Sequence, residues 1–228
     1  MTDTQRKEKE YDWNAGGSEE IMTDFRSSET VKNLMRAFAG ESQARNRYTF
    51  AGELARKQKL PAVEAIFRYT ADQEKEHGEI FYQYLEPLDR ETISIDGGYP
   101  VDLEKNTLAQ LLSAAHNEYE EHDVVYRAFA EQARAEGFPE IAASFDMIAK
   151  IEKTHGQRFG YLAELLEKGE LYSRSRETVW VCTNCGYIHE GKEAPDHCPV
   201  CRHDQGYFAS EELAPWHLRT GEKHCGLQ

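Results

Sequence analysis

The sequence predicts a mainly α-helical protein, with a four-helix bundle followed by a small domain that binds metal through four cysteines. Two observations carry this prediction. Four long stretches place apolar residues three and four positions apart, which is the period of a buried helix face. All five cysteines of the 228-residue chain lie between positions 182 and 225.

The four predicted helices fall into two pairs. The first helix covers about 29–57, and Pro61 suits the first turn of the second. The run Asp96-Gly97-Gly98-Tyr99-Pro100 breaks the pattern within a longer connection, 89–106. Gly137 and Pro139 separate the third helix from the fourth. Short links within each pair and a long link between the pairs predict two antiparallel hairpins joined by a crossover, as in a ferritin-like bundle.

The same patterns divide the chain into five segments. We predict a polar N-terminal arm over 1–28, the bundle over 29–168 and a linker over 169–179. The cysteine domain covers 180–209, and a tail without clear assignment covers 210–228.

The charge and hydropathy of the chain exclude several partners. Its net charge of −14 repels nucleic acids, whose binding needs Lys and Arg at the phosphates. No apolar run reaches the roughly 20 residues that cross a membrane. The first residues carry no apolar segment of the kind found in secretion signals, so we expect a cytoplasmic location.

Each predicted helix carries one glutamate on its apolar face. These are Glu41, Glu74, Glu118 and Glu152, and His77 and His155 follow the second and fourth after three residues. Residues three apart share a side of a helix, and buried carboxylates are costly without compensating charge. One Glu from each of two helices plus Glu-x-x-His from each of the other two is a known dimetal pattern. Such oxygen-rich ligands favour iron or manganese.

The two halves of this pattern differ at one position. Glu41 and Glu74 are 33 residues apart (74 − 41), and Glu118 and Glu152 are 34 apart (152 − 118). Glu121 follows Glu118 by three residues, whereas the counterpart in the first half is Ala44. One metal should therefore have an extra carboxylate available, with His77 as a competing ligand.

The cysteines form two knuckles, Cys182-x-x-Cys185 and Cys198-x-x-Cys201, separated by twelve residues (186–197). Four thiolates in tetrahedral array suit zinc or a single iron. Zinc would be structural and iron would make the site a one-electron carrier, and the spacing leaves both open. Cys225 is predicted to be an inert thiol of the tail.

At these residues the chain resembles the rubrerythrins. The matching motifs are GESQARNRY (40–48), TADQEKEH (70–77), the pair Glu118 and Glu121 with Tyr126, IEKTH (151–155), CTNCGYIHEG (182–191) and APDHCPVC (194–201). The resemblance covers about residues 28–209.

The resemblance implies a di-iron site and one Fe(Cys)4 centre, with assigned ligands. Glu74 and Glu152 would bridge the two irons, and Glu118 with His155 would complete the second. Glu41, with Glu121 or His77, would complete the first, which in the family moves between the carboxylate and the histidine as the redox state changes. Tyr48 and Tyr126 would lie beside the site.

The resemblance also implies a function, the reduction of hydrogen peroxide to water in oxidative-stress defence. The Fe(Cys)4 centre would relay electrons to the di-iron site. No dinucleotide fingerprint is apparent, so NAD(P)H would act through a separate reductase or rubredoxin. Because the bundle is tens of ångströms tall, we expect a homodimer or higher homo-oligomer in which the cysteine domain of one subunit approaches the bundle of another.

The sequence leaves three alternative functions open. A ferritin-like iron oxidation and storage protein would explain the bundle but not the cysteines. An oxygen-reducing di-iron oxidase would use the same ligands. A zinc-ribbon binding module would explain the cysteines but leave the core-facing glutamates without a purpose.

Overall fold

The computed structural model describes residues 24–213, which form five helices and three strands. The helices are α1 (Glu29–Lys57), α2 (Pro61–Gln83), α3 (Thr107–Glu120), α4 (Tyr126–Ala135) and α5 (Pro139–Glu167). The strands are β1 (Ser173–Cys182), β2 (Ile188–Glu193) and β3 (Phe208–Ser210). Short 3-10 turns occupy Phe25–Ser27, Glu86–Leu88, Gln205–Tyr207 and Glu211–Leu213. Within this range no helix combines the length and apolarity needed to cross a membrane.

Local chemistry sets the helix ends close to where the sequence predicts them. The Ser28 side chain accepts a hydrogen bond from the Val31 amide at the start of α1, and Asn106 does the same for Ala109 in α3. These caps satisfy amides that have no partner within the helix. Pro61 and Pro139 occupy the first turns of α2 and α5. The second helix is shorter than predicted: α2 ends at Gln83, before the connection predicted to begin at position 89.

The third predicted helix is not one regular helix. A π-helical turn, Glu121–Val125, joins α3 to α4. Such a turn holds one more residue than an α-helical turn, and it widens the helix locally. Periodicity over this segment predicts a continuous helix because one extra residue changes the apolar spacing little. The widened turn begins at Glu121.

Two aromatic layers fill the bundle. Tyr48, Phe67 and Phe159 belong to the layer towards the α1–α2 connection, where the rings of Phe67 and Phe159 lie 5.0 Å apart. Phe81 and Phe145, with rings 4.9 Å apart, belong to the layer at the opposite end. Along each long helix the buried glutamate lies between these layers, so the polar site is enclosed by apolar side chains on both sides.

The C-terminal region is a three-stranded antiparallel sheet in the order β2-β1-β3. Seven residues of the predicted linker, 173–179, lie in β1, where Ser173 pairs with Glu193 and Thr178 with Gly191. This part of the strand is exposed or half-buried and presents no apolar face, so the side-chain pattern does not reveal it. Ser210 of the predicted tail lies in β3, and Leu213 packs in the bundle core.

Most of the predicted arm and tail, including Cys225, falls outside the described residues. Within them, Phe25 packs edge-on against Phe138 at a ring distance of 5.3 Å. The first described residues thus pack against the bundle.

The sheet region packs against the α1–α2 connection of its own chain. A Cβ atom added at Gly206 would lie 2.5 Å from the Lys59 carbonyl oxygen and 2.9 Å from Pro61 Cδ. Nearby, the Tyr161 hydroxyl donates to Glu212 Oε1 at 2.7 Å. The cysteine domain therefore lies at the end of the bundle formed by the α1–α2 connection.

Replacing Gly206 with alanine should weaken this packing. The added methyl group meets backbone, which cannot move aside as a flexible side chain could, so we expect a loss of about 1–3 kcal/mol in the free energy of unfolding. Gly98→Ala is the matched control, because nothing lies within 4 Å of its Cβ position. Equal denaturation midpoints for the two variants would contradict the packing.

Candidate metal centres

The centre of the bundle brings six of the predicted ligands together. They form two groups that share Glu74 and Glu152, and in each group the ligand atoms lie within 4.8 Å of one another. Glu41 and His77 complete one group, and Glu118 and His155 complete the other. Helices α1 and α2 provide three of these residues, and α3 and α5 provide the other three.

Two glycines allow the helices to approach at the site. A Cβ atom on Gly78 would lie 3.3 Å from Glu41 Cβ, and one on Gly156 would lie 3.3 Å from Glu118 Cβ. Each glycine directly follows a ligand histidine. The repeated Glu-x-x-His-Gly therefore supplies both ligands and the close helix contact that aligns them with the glutamate opposite.

The histidines aim one ring nitrogen at the carboxylates. His155 Nδ1 lies 2.9 Å from Glu152 Oε2, 3.0 Å from Glu74 Oε1 and 3.5 Å from Glu118 Oε2. His77 Nδ1 lies 2.9 Å from Glu152 Oε1 and 3.1 Å from Glu74 Oε2. A ring nitrogen carries at most one hydrogen, so it cannot donate to three oxygens at once. Convergence of this kind is typical of ligands around a common ion.

Many carboxylate oxygens of the site accept no hydrogen bond from the described residues. Five buried oxygens have no donor in suitable geometry among the described residues, although some lie near a histidine nitrogen. They are Glu41 Oε2, Glu74 Oε1, Glu118 Oε2 and both oxygens of Glu152. Buried polar atoms in proteins nearly always have a partner. Cations are the partners that these oxygens suit, so the residues present fit a pair of metal ions.

Two buried tyrosines flank the carboxylates. The Tyr48 hydroxyl donates to Glu118 Oε1, and the Tyr126 hydroxyl donates to Glu41 Oε1. Burial raises the pKa of Tyr48 well above its usual value, and the Glu118 charge adds to the shift. Burial and Glu41 raise the pKa of Tyr126 in the same way. Both phenols therefore keep their protons and remain hydrogen-bond donors.

Electrostatics without metal show how strongly the site needs positive charge. Burial and neighbouring carboxylates raise the pKa of Glu41 and of Glu118. Burial opposes charge on the histidines, but their hydrogen bonds to the carboxylates raise the pKa of His77 to about 9 and that of His155 to about 12. Burial also disfavours ionised Glu152, yet both histidines lower its pKa to about 2. Protons here take the role that cations would otherwise fill.

Glu121 is the one predicted bundle ligand outside both groups. It begins the π-helical turn and is half-buried. Burial raises its pKa to about 8, and the charges of Glu152 and Glu74 contribute to the shift. The structure therefore pairs His77, rather than Glu121, with Glu41. The neighbouring His122 also lies outside both groups, with its Nδ1 2.8 Å from the Ala149 carbonyl oxygen.

A pocket of about 450 Å³ opens beside Glu121 and Tyr126. The crossover connection forms one wall through residues 97–100, and the π-helical turn forms another. The Tyr99 hydroxyl donates to the Arg36 carbonyl oxygen at 2.9 Å, which ties the connection to α1. In the sequence, 96–100 is visible only as a break between helices. Nothing in it indicates a wall near the metal ligands.

The four cysteines converge in the sheet region. Cys182 Sγ lies 3.7 Å from Cys201 Sγ, and Cys185 Sγ lies 3.6 Å from Cys198 Sγ. A metal about 2.3 Å from each sulfur in a tetrahedral array places the sulfurs roughly 3.8 Å apart. The observed separations, all within 4.8 Å, fit one metal ion.

In each knuckle a backbone amide donates to the carbonyl oxygen of the first cysteine. The Gly186 amide donates to the Cys182 carbonyl oxygen, and the Arg202 amide donates to that of Cys198. The His203 amide donates to the Cys201 sulfur and is the main reason that the pKa of this thiol falls to about 6. Hydrogen bonds of this type favour the thiolate, the form that binds metal. The buried Trp180 and Phe208 pack against the cysteines, with Tyr187 beside them.

The fold and the two sites define an iron protein with a ferritin-like bundle and a rubredoxin-like domain. The rubrerythrin family profile matches residues 32–163, and the profile of the rubrerythrin rubredoxin-like domain matches 180–209. The chain belongs to the rubrerythrin family, as the motifs suggest, and is therefore an oxidoreductase. Its ligand groups fit a di-iron site and one iron bound by four cysteines.

Individual relatives agree with this assignment. The chain is 45% identical to a rubrerythrin of Clostridium perfringens over 82% of its own length and 96% of that protein. It is 43% identical to a rubrerythrin of Porphyromonas gingivalis over 83% of its length and 93% of that protein. The structure of fully reduced, all-ferrous nigerythrin superposes with a TM-score of 0.54 at 25% identity, covering 83% of this chain and 92% of that one.

Removing metal should destabilise the bundle. Bound ions stabilise the folded state by mass action, by about 2.7 kcal/mol when the free ion is at 100 times its dissociation constant. We expect the iron-loaded protein to melt at a clearly higher temperature than the chelated protein, followed by helical circular dichroism. A Glu152→Ala variant, which loses a shared ligand, should show a much smaller difference. Identical melting with and without iron in the wild type would contradict the assignment.

Proposed function

We propose that the protein reduces hydrogen peroxide to water, with electrons relayed from the Fe(Cys)4 centre to the di-iron site. The observation that carries the proposal is a pocket of about 450 Å³, with ample space for hydrogen peroxide, beside Glu121 and Tyr126. It lies next to a two-metal site in a chain that also has a one-electron centre. Storage alone would not need the cysteine domain.

The overall reaction consumes two electrons and two protons for each peroxide and yields two water molecules. When bound, the iron pair supplies two electrons at one place and Lewis acidity towards the oxygens of the O–O bond. In our assignment Glu74 and Glu152 would hold both irons. Glu41 and His77 would hold one of them, with Glu121 as the alternative to His77, and Glu118 and His155 would hold the other.

The chain's own groups orient the substrate and manage protons. Tyr126 lines the pocket and its hydroxyl donates to Glu41. The phenol therefore links the space open to peroxide with a ligand carboxylate, and its raised pKa keeps a proton there. Tyr48 holds Glu118 in the same way on the other side. The apolar layers above and below the site exclude bulk water, which strengthens these hydrogen bonds.

Electron transfer favours an assembly of at least two subunits. The cysteine domain packs at Lys59 and Pro61, whereas Glu41 lies 16 residues before the end of α1 (57 − 41). At about 1.5 Å per residue this is roughly 24 Å along the helix. We therefore propose a homodimer in which the cysteine domain of one subunit approaches the bundle of the other. A separate reductase or rubredoxin would supply the electrons.

The peroxidase proposal is tested by stopped-flow absorbance. The iron-loaded protein is reduced anaerobically and mixed with hydrogen peroxide or with oxygen, and the ferric-thiolate colour is followed. We expect the colour to return at least about tenfold faster with peroxide, a difference of about 1.4 kcal/mol in barrier. A faster return with oxygen would favour an oxidase. Absence of colour would indicate zinc at the cysteines and would overturn the relay.

Subunit mixing tests the path between subunits. One variant, Cys185→Ser, loses the Fe(Cys)4 centre, and the other, Glu118→Ala, loses a di-iron ligand. Each alone should be inactive in donor-linked peroxide reduction. Random dimers of the two should recover about a quarter of wild-type activity, because half are mixed and each mixed dimer has one working pair of sites. Cys225→Ser, outside both knuckles, is the control for Cys185→Ser. No recovery in mixed dimers would mean that electrons stay within one chain.

A further inference from the structure

A hydrogen bond from outside the ligand set holds one of the two histidines. Gln73 Oε1 lies 3.1 Å from His155 Nε2. Because Nδ1 of this ring faces the carboxylates, Nε2 carries the hydrogen and donates it to the Gln73 carbonyl. The Gln73 amide nitrogen in turn lies 3.5 Å from the Tyr69 hydroxyl, and the Arg158 guanidinium lies 5.5 Å from the centre of the Tyr69 ring.

The other histidine has no equivalent support. The Glu-x-x-His pairs are offset by 78 residues (152 − 74 and 155 − 77), so the counterpart of Gln73 is Ile151. The counterparts of Tyr69 and Arg158 are Met147 and Ile80. All three counterparts are apolar, and they are 38% (Ile151), 57% (Met147) and 39% (Ile80) exposed. Among residues 24–213, the hydrogen-bonding and ion-pair contacts of His77 run through Nδ1 alone.

We propose that Gln73 is a positioning residue that holds His155 on its iron, and that Ile151 in the equivalent place leaves His77 without such support. An acceptor for the distal N–H fixes the tautomer and orientation of a metal-bound imidazole and raises its basicity. An isoleucine side chain offers His77 no such acceptor.

This asymmetry coincides with the other difference between the halves. Glu121, the carboxylate without a counterpart in the first half, begins the π-helical turn and lines the pocket beside Tyr126. The exchange between Glu121 and His77 that the family resemblance implies would therefore fall on the iron without this support. The other iron keeps His155. The inference concerns ligand retention and does not depend on which oxidant the protein reduces.

Iron release measures the two positions separately. The anaerobically reduced protein is mixed with a ferrous chelator, and the iron remaining at each position after timed intervals is determined in crystals by anomalous scattering. Loss of an outer hydrogen bond typically costs roughly 10–100-fold in metal affinity. Gln73→Leu should therefore speed loss of the His155 iron by at least about tenfold. Ile151→Gln, which offers His77 an acceptor, should slow loss of the His77 iron.

Two further variants separate positioning from general loosening. Gln73→Glu keeps an acceptor at the same place and should retain the His155 iron, in contrast to Gln73→Leu. Gln83→Leu makes the same change at an exposed position of α2, where the amide donates to the Glu79 carboxylate, and should alter neither iron. Far-ultraviolet circular dichroism checks that each variant is folded.

The outcomes decide the proposal. Selective loss of the His155 iron in Gln73→Leu, with rescue in Gln73→Glu, supports it. Equal acceleration at both irons, or unchanged release of the His155 iron, overturns it. If Gln73→Leu does not fold, unchanged release of the His77 iron in Ile151→Gln overturns the claim about Ile151.

Discussion

Four carboxylates buried at the centre of one bundle are the constraint on which this structure depends. Their mutual repulsion and loss of hydration would be prohibitive without positive charge between them. The rest of the bundle encloses and positions these carboxylates. Aromatic layers close the site from both ends, and Gly78 and Gly156 bring the helices close enough for the glutamates to converge. Two phenols donate hydrogen bonds to Glu41 and Glu118. Metal binding and folding of the helical core are therefore linked.

Much of this arrangement is predictable because it follows from the periodicity of apolar side chains. Helix positions follow from apolar spacing, and a glutamate on an apolar stripe stands out as a candidate ligand. The two cysteine knuckles are equally visible, since their spacing alone suggests a common metal. Six of the seven predicted bundle ligands lie in the two groups, and their roles on bound iron remain proposals.

Other features depend on contacts between distant segments and leave no local pattern. The π-helical turn at Glu121 adds a single residue, which periodicity over a long helix does not resolve. The first half of β1 is held by main-chain pairing with β2, so its polar side chains look like a linker. The contact of Gln73 with His155 joins positions 82 residues apart. Gln73 is unremarkable in the sequence until α2 and α5 are packed together.

The crossover connection over 89–106 has a consequence beyond forming a pocket wall. A site built from two separate, identical hairpins would give both irons the same surroundings, because symmetry copies every residue to both sides. When the hairpins are joined in one chain, the two halves can differ in sequence. Gln73 can face one imidazole while Ile151 faces the other, and Glu121 needs no counterpart in the first half. A covalent link between two halves thus permits a binuclear centre whose two metal positions have different surroundings.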